Sequence, residues 1–314
     1  MKKKLAFLIA AMMTAAAIGG CGSSSTTDTT STGTDSKAAE SAAGASSIVE
    51  SVESASMAEV IGSNADYRFL EEDLGVESYA IGFRVGDTEL ADLVSKTVQA
   101  LVVNGTYEKI GENYPDIKDY LCLSADDIDA SALPEEGSGD PNYTFKHGFD
   151  LDYPPYSYLK DDGSVGGFDV EMCQAVCEYL GWGYEAVPFN WDAKDMELNA
   201  MSCDCIWSGF TKEGREDDYA WGITYSNNTQ GILVAGDSDI TTLADLSGKI
   251  VGVQTATSAY DLLQDSRKEL ADTFAELKVY ETYTIAYNDL KAGAIDAIAI
   301  DMTAGSFLIA GDQG

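Results

Sequence analysis

The stretch LSGKIVGVQTATSAYDLL, residues 246–263, contains the pattern that decides the fold. Its apolar run KIVGVQ, 249–254, has the length and composition of a buried β-strand. Thr257 and Ser258 follow this run and favour the start of a helix. GAIDAIAID, residues 293–301, repeats the pattern with a second buried strand before another predicted helix. Short apolar strands that alternate with amphipathic helices predict an α/β architecture.

The same alternation extends along most of the chain. Further strands are predicted at 79–83, 143–149, 184–189, 203–207, 230–235 and in KVYET, 278–282. Further helices are predicted at 88–103, 107–113, 168–180 and 192–200. The helix at 88–103 has Asp87 as a candidate N-cap and Gly105 as a candidate C-cap. Residues 124–142 are acidic and rich in Gly, Pro and Ser, which predicts a linker.

The N-terminal residues 1–20 have the pattern of a processing signal. Three lysines precede the apolar run LAFLIAAMMTAAAI, which is too short to span a bilayer comfortably. The run ends in IGGC, which resembles the lipobox of bacterial lipoproteins and implies lipidation of Cys21. An ordinary signal peptide with an incidental cysteine is the alternative. Residues 21–65 are rich in Ser, Thr, Ala and Gly and predict a disordered tether.

The composition excludes some partners. The formal net charge of −34 argues against nucleic acid, since phosphate contacts need Lys and Arg. Five cysteines follow Cys21, at 122, 173, 177, 203 and 205, and an odd number excludes a full set of intramolecular disulfides. Their spacing is compatible with metal binding, but apolar neighbours favour buried thiols. His147 is the one histidine, which further weakens a zinc site, and we expect neither metal nor cofactor.

From Tyr143 onward the chain resembles the amino-acid-binding family of extracellular solute-binding proteins, which has the type II periplasmic-binding fold. The segments that carry the resemblance are GFDLDYPPYSY, GGFDVEMCQAVCEYLGW, NWDAKDMEL, DCIWSGFTKEGRE, LSGKIVGVQTATSAYDLL and GAIDAIAID. Their order and spacing match the family. The resemblance implies two α/β lobes joined by two hinge strands, with a ligand between them.

The resemblance stops before the family's last strand and C-terminal helices, and the missing part is found at the front. Residues 67–115 resemble the C-terminal end of the family, including its returning hinge strand YAIGFRVGD. We therefore expect a circularly permuted fold. Lobe 1 would be continuous at 81–231 and contain the linker 124–142, and lobe 2 would combine 66–80 with 232–314. A relic of two truncated tandem domains is the alternative.

The resemblance also implies how the charges of a free amino acid are bound. Arg215 would bind the carboxylate, and Thr211 would add a hydroxyl group. The loop between these two residues is one residue shorter than in many relatives. Asp301, at the end of a strand, would bind the ammonium. A surface salt bridge for Arg215 and a helix N-cap for Asp301 are the alternatives.

The remaining site residues would complete the cleft. Tyr153 and Trp191 match positions whose rings sandwich the ligand side chain, or else they pack in the core. Further candidates provide polar groups, or ordinary turn and capping chemistry: Asp150, Tyr156, Ser208, Gly209, Thr257 and Ser258. The exposed N–H groups of a helix that begins near Thr257 would suit a carboxylate.

The function implied is a monomeric, lipid-anchored binding protein without catalysis. It would capture a free amino acid at the outer face of the cytoplasmic membrane and deliver it to the permease of an ABC importer. A dehydratase-like enzyme on the same fold is one alternative, although no nucleophile–base pair can be identified in the sequence. An input protein for an amino-acid sensor is the other.

Overall fold

The computed structural model describes residues 66–160 and 162–311. The predicted signal peptide, the lipidation site at Cys21 and the tether lie outside these residues, as does Gly314. Within the described ranges, no helix has both the length and the apolar character needed to cross a membrane.

Twelve strands are formed by the described residues. They are β1 Tyr67–Phe69, β2 Gly75–Phe83, β3 Thr144–Asp150, β4 Asp152–Tyr153, β5 Ser157–Leu159, β6 Val165–Gly166, β7 Gly183–Phe189, β8 Cys205–Ile206, β9 Ala220–Ala235, β10 Ile250–Gln254, β11 Glu276–Tyr280 and β12 Ala297–Asp301.

Eight α-helices occur in the same part of the chain. They are α1 Thr88–Val103, α2 Thr106–Gly111, α3 Phe168–Leu180, α4 Lys194–Asn199, α5 Ser258–Gln264, α6 Lys268–Ala271, α7 Tyr283–Lys291 and α8 Met302–Gly311. Short 3₁₀ turns lie at Pro115–Tyr120, Ala125–Asp127, Ala130–Ala132, Trp191–Ala193 and Leu243–Leu246.

The main sheet consists of two parallel halves joined by a long antiparallel ribbon. Its strand order is β11-β10-β12-β9-β2-β8-β3-β7, with β1 paired to β9. Strands β10, β11 and β12 are parallel and form what we call the second half-sheet. Strands β3, β7 and β8 are also parallel and form the first half-sheet. Buried parallel strands with helical crossovers confirm the α/β fold predicted from the sequence.

The ribbon between the half-sheets is formed by β2 and β9. Gly75 lies opposite Gln230 at one end, and Phe83 lies opposite Ala220 at the other. The register shifts around Ala80, which marks a bulge or irregularity in the ribbon. Beyond the ribbon, β9 continues along β12, where Asp301 is paired with Gln230. Gln230 therefore lies between Gly75, from the front of the chain, and Asp301, from its other end.

The front segment packs into the body of the same chain. The ring of Phe69 lies so close to α8 that a methyl group at Gly305 would come within 2.5 Å of it. Tyr67 meets Tyr287 of α7 with ring centroids 5.2 Å apart. Helix α1 packs against β9 and α3. The segment 66–123 is thus built into the fold rather than forming a separate module.

Some local predictions differ from the structure. The strand expected at 203–207 is only two residues long, and the helix expected at 192–200 begins with the 3₁₀ turn Trp191–Ala193. Asp87 occupies the N-cap position of α1 but makes no side-chain cap, because its carboxylate pairs with Arg84 at 2.7 Å. These differences concern only the ends of elements, which are the least sharply defined positions of a helix or strand.

Strand β2 should be part of the cooperative core. Ile81 is fully buried, so Ile81→Ala should lower the free energy of unfolding by about 2–5 kcal/mol. Val76, on the same strand, is 75% exposed, and Val76→Ala should change it by less than about 0.5 kcal/mol. Urea unfolding of both variants measures the difference, and equal effects would mean that β2 does not belong to the core.

Candidate functional site

A small cleft lies where the two half-sheets face each other. Six of its lining residues come from 144–231 and four from 232–314. They are Tyr153, Trp191, Ser208, Gly209, Thr211, Arg215, Gln254, Thr257, Ser258 and Asp301. All except Gln254 are among the candidates identified from the sequence. Residues separated by up to about 150 positions therefore meet around one small volume.

Asp301 is a buried acid at the end of β12. Its Oδ1 accepts hydrogen bonds from Tyr79 at 2.5 Å, Gln230 at 2.6 Å and Asn228 at 2.8 Å. Such donors stabilise a carboxylate and fix its orientation. The N-cap alternative for Asp301 does not explain these bonds, since the donors are on β2 and β9. The three donors were missed in the sequence because only the pairing of β9 with β12 and with β2 brings them to Asp301.

Arg215 contributes a positive charge to the lining of the cleft. Its Nη2 forms an ion pair with Asp261 of α5 at 2.5 Å, and its Nη1 donates to the carbonyl of Thr211 at 3.2 Å. The Arg215 side chain is only 12% exposed, while that of Asp261 is 58% exposed. The salt bridge considered from the sequence is thus present, and it leaves Arg215 lining the cleft.

The start of α5 combines capping with polar groups at the cleft. The hydroxyl of Thr257 accepts from the N–H of Tyr260 at 3.3 Å and donates to the carbonyl of Gln254 at 2.8 Å. Ser258 donates to Glu77 at 2.5 Å and accepts from Gln230 at 2.8 Å. Thr257 is therefore an N-cap, and Ser258 links α5 to the ribbon.

The aromatic candidates occupy different positions. Tyr153 lines the cleft, and its hydroxyl lies 2.7 Å from that of Tyr79. Tyr156 stacks behind Tyr153 with ring centroids 5.9 Å apart, is fully buried and does not reach the cleft. Trp191 lines the cleft and donates from its indole to the carbonyl of Ala256 at 2.9 Å. Tyr156 thus supports the ring of Tyr153, and its hydroxyl bonds Ser226 at 3.1 Å.

Asp150 lies behind the lining rather than in it. It is 5% exposed, and its Oδ2 accepts from Gln254 Nε2 at 3.2 Å. Burial raises the pKa of Asp150 to about 6, while the bond from Gln254 acts in the opposite direction. Gln254 therefore stands between Asp150 and the cleft. No sequence pattern pointed to Gln254, because it is an uncharged residue at the end of a buried strand.

Ser208 and Gly209 use their polar groups within their own half of the molecule. The hydroxyl of Ser208 bonds that of Ser157 at 2.7 Å. The N–H of Gly209 donates to Asp169 Oδ2 at 2.7 Å, so this amide is not directed at a ligand as expected. Gly209 adopts φ +53, and a side chain there would clash with the ring of Tyr153. Glycine is required here by the approach of that ring.

Contacts across the cleft hold its two sides together. They are Asp150 with Gln254, Asp152 with Thr284, Asn190 with Glu281, Trp191 and Lys194 with the carbonyl of Ala256, and Arg215 with Asp261. Ala256 has φ +57, a left-handed conformation that strains a residue with a side chain. The closing contacts on its carbonyl therefore depend on a strained turn.

The cysteines show no metal arrangement. Cys173, Cys177, Cys203 and Cys205 are buried free thiols, and Cys122 is exposed. Among residues 66–160 and 162–311, no group of three or more His, Cys, Asp or Glu side chains could hold a metal ion. Burial raises the pKa of the Cys173 and Cys205 thiols well above their ordinary value, which favours the unreactive protonated form.

This fold and cleft are those of a two-lobed solute-binding protein. Residues 145–289 match the family of bacterial extracellular solute-binding proteins, family 3. A histidine-bound substrate-binding protein of an ABC uptake transporter from Streptococcus pneumoniae is 31% identical, with a TM-score of 0.53 over 54% of this chain and 70% of that one. The chain belongs to family 3 of the bacterial extracellular solute-binding proteins.

Curated relatives include binders of several amino acids. The L-cystine-binding protein TcyJ of Escherichia coli is 30% identical over 52% of this chain. The L-arginine-binding protein of Pseudomonas aeruginosa is 28% identical over 59% of this chain and 70% of its own length. The match to the E. coli protein spans 60% of that protein's length.

Asp169, whose buried carboxyl accepts from the N–H of Gly209, should make the stability of the fold depend on pH. Burial raises the pKa of Asp169 to about 8, although bonds from Tyr225 and Gly209 lower it. The folded protein then keeps a proton that the unfolded chain loses near its ordinary value of 3.8. Stability is fully present below that value and falls as pH rises towards 8, by about 1.4 kcal/mol per pH unit for one proton.

Asp169→Asn should remove this contribution, so the fall in unfolding free energy between about pH 5 and about pH 7 should become shallower. Urea unfolding at both pH values measures the slope. Asp119→Asn, an exposed position, should leave the slope unchanged. An unaltered slope in Asp169→Asn would show that this carboxyl does not hold a proton in the folded protein.

Proposed function

We propose that the protein binds a free amino acid in this cleft, without catalysis. The observation that carries the proposal is the meeting of Arg215 and Asp301 in the lining of one small cleft. A free amino acid presents a carboxylate and an ammonium on one carbon, and these two side chains have the complementary charges. The cleft is small, its lining includes one acid, one arginine and several hydroxyl groups, and Tyr153 and Trp191 flank it, as expected for a small zwitterion.

The side chain of the ligand is expected to be polar or cationic. Tyr153 and Trp191 offer ring faces for stacking or cation–π contact. Gln254 adds an amide to the lining, with Asp150 behind it. The relatives named for cystine, arginine and histidine fall in this class of ligand. Small apolar amino acids would leave these polar groups without partners.

Delivery and location form a second part of the proposal. A chain anchored through a lipidated Cys21 would work as a monomer at the outer face of the cytoplasmic membrane. There it would present the closed, loaded form to the permease of an ABC importer, which is a hinge-type population shift. The histidine-bound relative from S. pneumoniae belongs to an ABC uptake transporter, which supports this role by analogy.

Circular permutation is the third part. The docking of 66–123 onto β9, α3 and α8 within one chain supports it over the tandem-relic alternative. In this arrangement, lobe 1 comprises 81–231 and lobe 2 comprises 66–80 with 232–314. The β2–β9 ribbon would then act as the hinge. Proteolytic cleavage between residues 123 and 143, followed by removal of 66–123, should leave the rest of the chain unfolded.

The position of the one histidine does not favour the enzyme alternative. His147, the one histidine, is fully buried, with Nε2 2.7 Å from the carbonyl of Trp207 and Nδ1 3.1 Å from the hydroxyl of Tyr184. Burial lowers its pKa to about 4, so it stays neutral and away from any ligand. A role as the input of an amino-acid sensor would use the same cleft and differs only in the membrane partner.

Charge removal tests the site. Arg215→Ala and Asp301→Ala should each cost about 2–5 kcal/mol of binding free energy, because the ligand's opposite charge loses its partner. Calorimetry with the amino acid that gives the largest rise in melting temperature, chosen from a screen of the common amino acids with ornithine and cystine, measures the loss. Stabilisation by about 100 Kd of ligand is about 2.7 kcal/mol.

Arg267→Ala is the matched control, since this exposed arginine lies outside the cleft and donates to the carbonyl of Leu74. It should bind with unchanged affinity. Near-wild-type affinity in Arg215→Ala or Asp301→Ala would contradict the site assignment. A screen in which no amino acid raises the melting temperature at millimolar concentration would contradict the proposed function as a whole.

A further inference from the structure

A second buried acid lies directly behind Asp301. Glu77, on β2, is 6% exposed and is paired across the ribbon with Asn228 of β9. It does not line the cleft, and no sequence pattern pointed to it. Its carboxyl nevertheless shares hydrogen-bond donors with that of Asp301. The two acids come from opposite ends of the chain.

The same amide groups bridge both carboxyls. Asn228 Nδ2 donates to Glu77 Oε1 at 2.7 Å and to Asp301 Oδ1 at 2.8 Å. Gln230 Nε2 donates to the same two oxygens at 2.8 Å and 2.6 Å. Ser258 donates to the other oxygen of Glu77. These donors are neutral, so they orient the acids without cancelling two negative charges.

The groups that face Glu77 determine how it titrates. Asp301 on β12 is the charged neighbour, and Ser258 on α5 and Asn228 on β9 are neutral donors. Burial is the main cause that raises the pKa of Glu77 to about 8, and the charge of Asp301 is the second. The phenols of Tyr79, Tyr153 and Tyr283 surround the pair, and burial raises their pKa values well above 10, so they remain neutral.

We propose that Glu77 holds a proton behind Asp301 and releases it to solvent when the ammonium of an amino acid docks on Asp301. The inference rests on the proposed function, because it requires an ammonium at Asp301. Before binding, the pair of carboxyls has one negative charge and one proton. After binding, it has two negative charges and faces one positive charge. The net charge of the cluster is unchanged, and one proton leaves for each ammonium that enters.

This exchange makes affinity depend on pH. Below about pH 8 the ammonium must displace a proton, so affinity should fall by up to about tenfold for each pH unit below that value. Above it the proton is already absent, and affinity should level off. Glu77 would thus be a positioning residue that acts through Asp301, and it would favour loading at neutral to slightly alkaline pH.

Proton release can be measured directly by calorimetry. Titrations with L-arginine at about pH 7, in phosphate and in Tris, yield the number of protons released from the dependence of the heat on the buffer. If L-arginine does not bind, the amino acid most stabilising in the melting screen replaces it. The wild-type protein should release about one proton, and its affinity should rise between about pH 6.5 and about pH 8. This range lies above the titration of Asp150.

Glu77→Gln keeps the shape of the protonated acid but cannot titrate. It should bind with no proton release and with affinity independent of pH in the same range. Glu71→Gln, an exposed position on the same front segment, should behave as the wild type. Glu77→Asp should retain proton release with a shifted pH midpoint, and it serves as the deciding variant if Glu77→Gln does not fold.

The outcomes separate this inference from the proposed function. Binding without proton release in the wild type would overturn the inference and leave amino-acid binding intact. Equal proton release in the wild type and Glu77→Gln, or an unshifted midpoint in Glu77→Asp, would also overturn it, since the proton would then come from another acid such as Asp169. Failure of every amino acid to bind the wild type would overturn the proposed function itself.

Discussion

The antiparallel pairing of β2 with β9 places the polar groups that lie behind Asp301 in the cleft. It sets Gly75 opposite Gln230 and Glu77 opposite Asn228, while β12 brings Asp301 to Gln230 from the other side. Backbone pairing fixes these positions because a slip of one residue would turn each side chain to the opposite face of the sheet. The acids, their amide partners and the start of α5 therefore meet at one point of the ribbon.

Under the proposed function, the same ribbon would couple the cleft to the movement expected of a two-lobed fold. Contacts such as Trp191 with Ala256 and Arg215 with Asp261 close the cleft on its far side from the ribbon strands. The first is a hydrogen bond to a carbonyl, and the second is an ion pair whose Asp261 side chain is 58% exposed. Partly exposed contacts of this kind are typically worth about 1 kcal/mol each, so closure does not depend on one of them. A bound zwitterion would add partners on both sides, and this differential binding is what shifts the population towards the closed form.

Much of the fold and most of the cleft lining were predictable from the sequence, for identifiable reasons. Strands such as 249–254 are continuous apolar runs, and Asp301 is an acid at the end of another, where burial without a partner would be costly. Gln254, Tyr79 and Glu77 were missed because an uncharged or isolated residue on a strand has no pattern of its own. Tyr156 and Asp150 were also predicted to line the cleft, but they lie one layer behind the lining.

The sequence by itself determined the alternation of strands and helices, the acidic surface charge and the identity of the charged residues available to a small ligand. These depend on local periodicity and composition, which the chain carries wherever it folds. Only the tertiary structure decided that Glu77 and Asp301, from opposite ends of the chain, share the same amide donor. It also decided that Asp169 accepts a hydrogen bond from the N–H of Gly209. Such contacts arise from strand register and side-chain packing between distant segments, and no local pattern in the sequence encodes them.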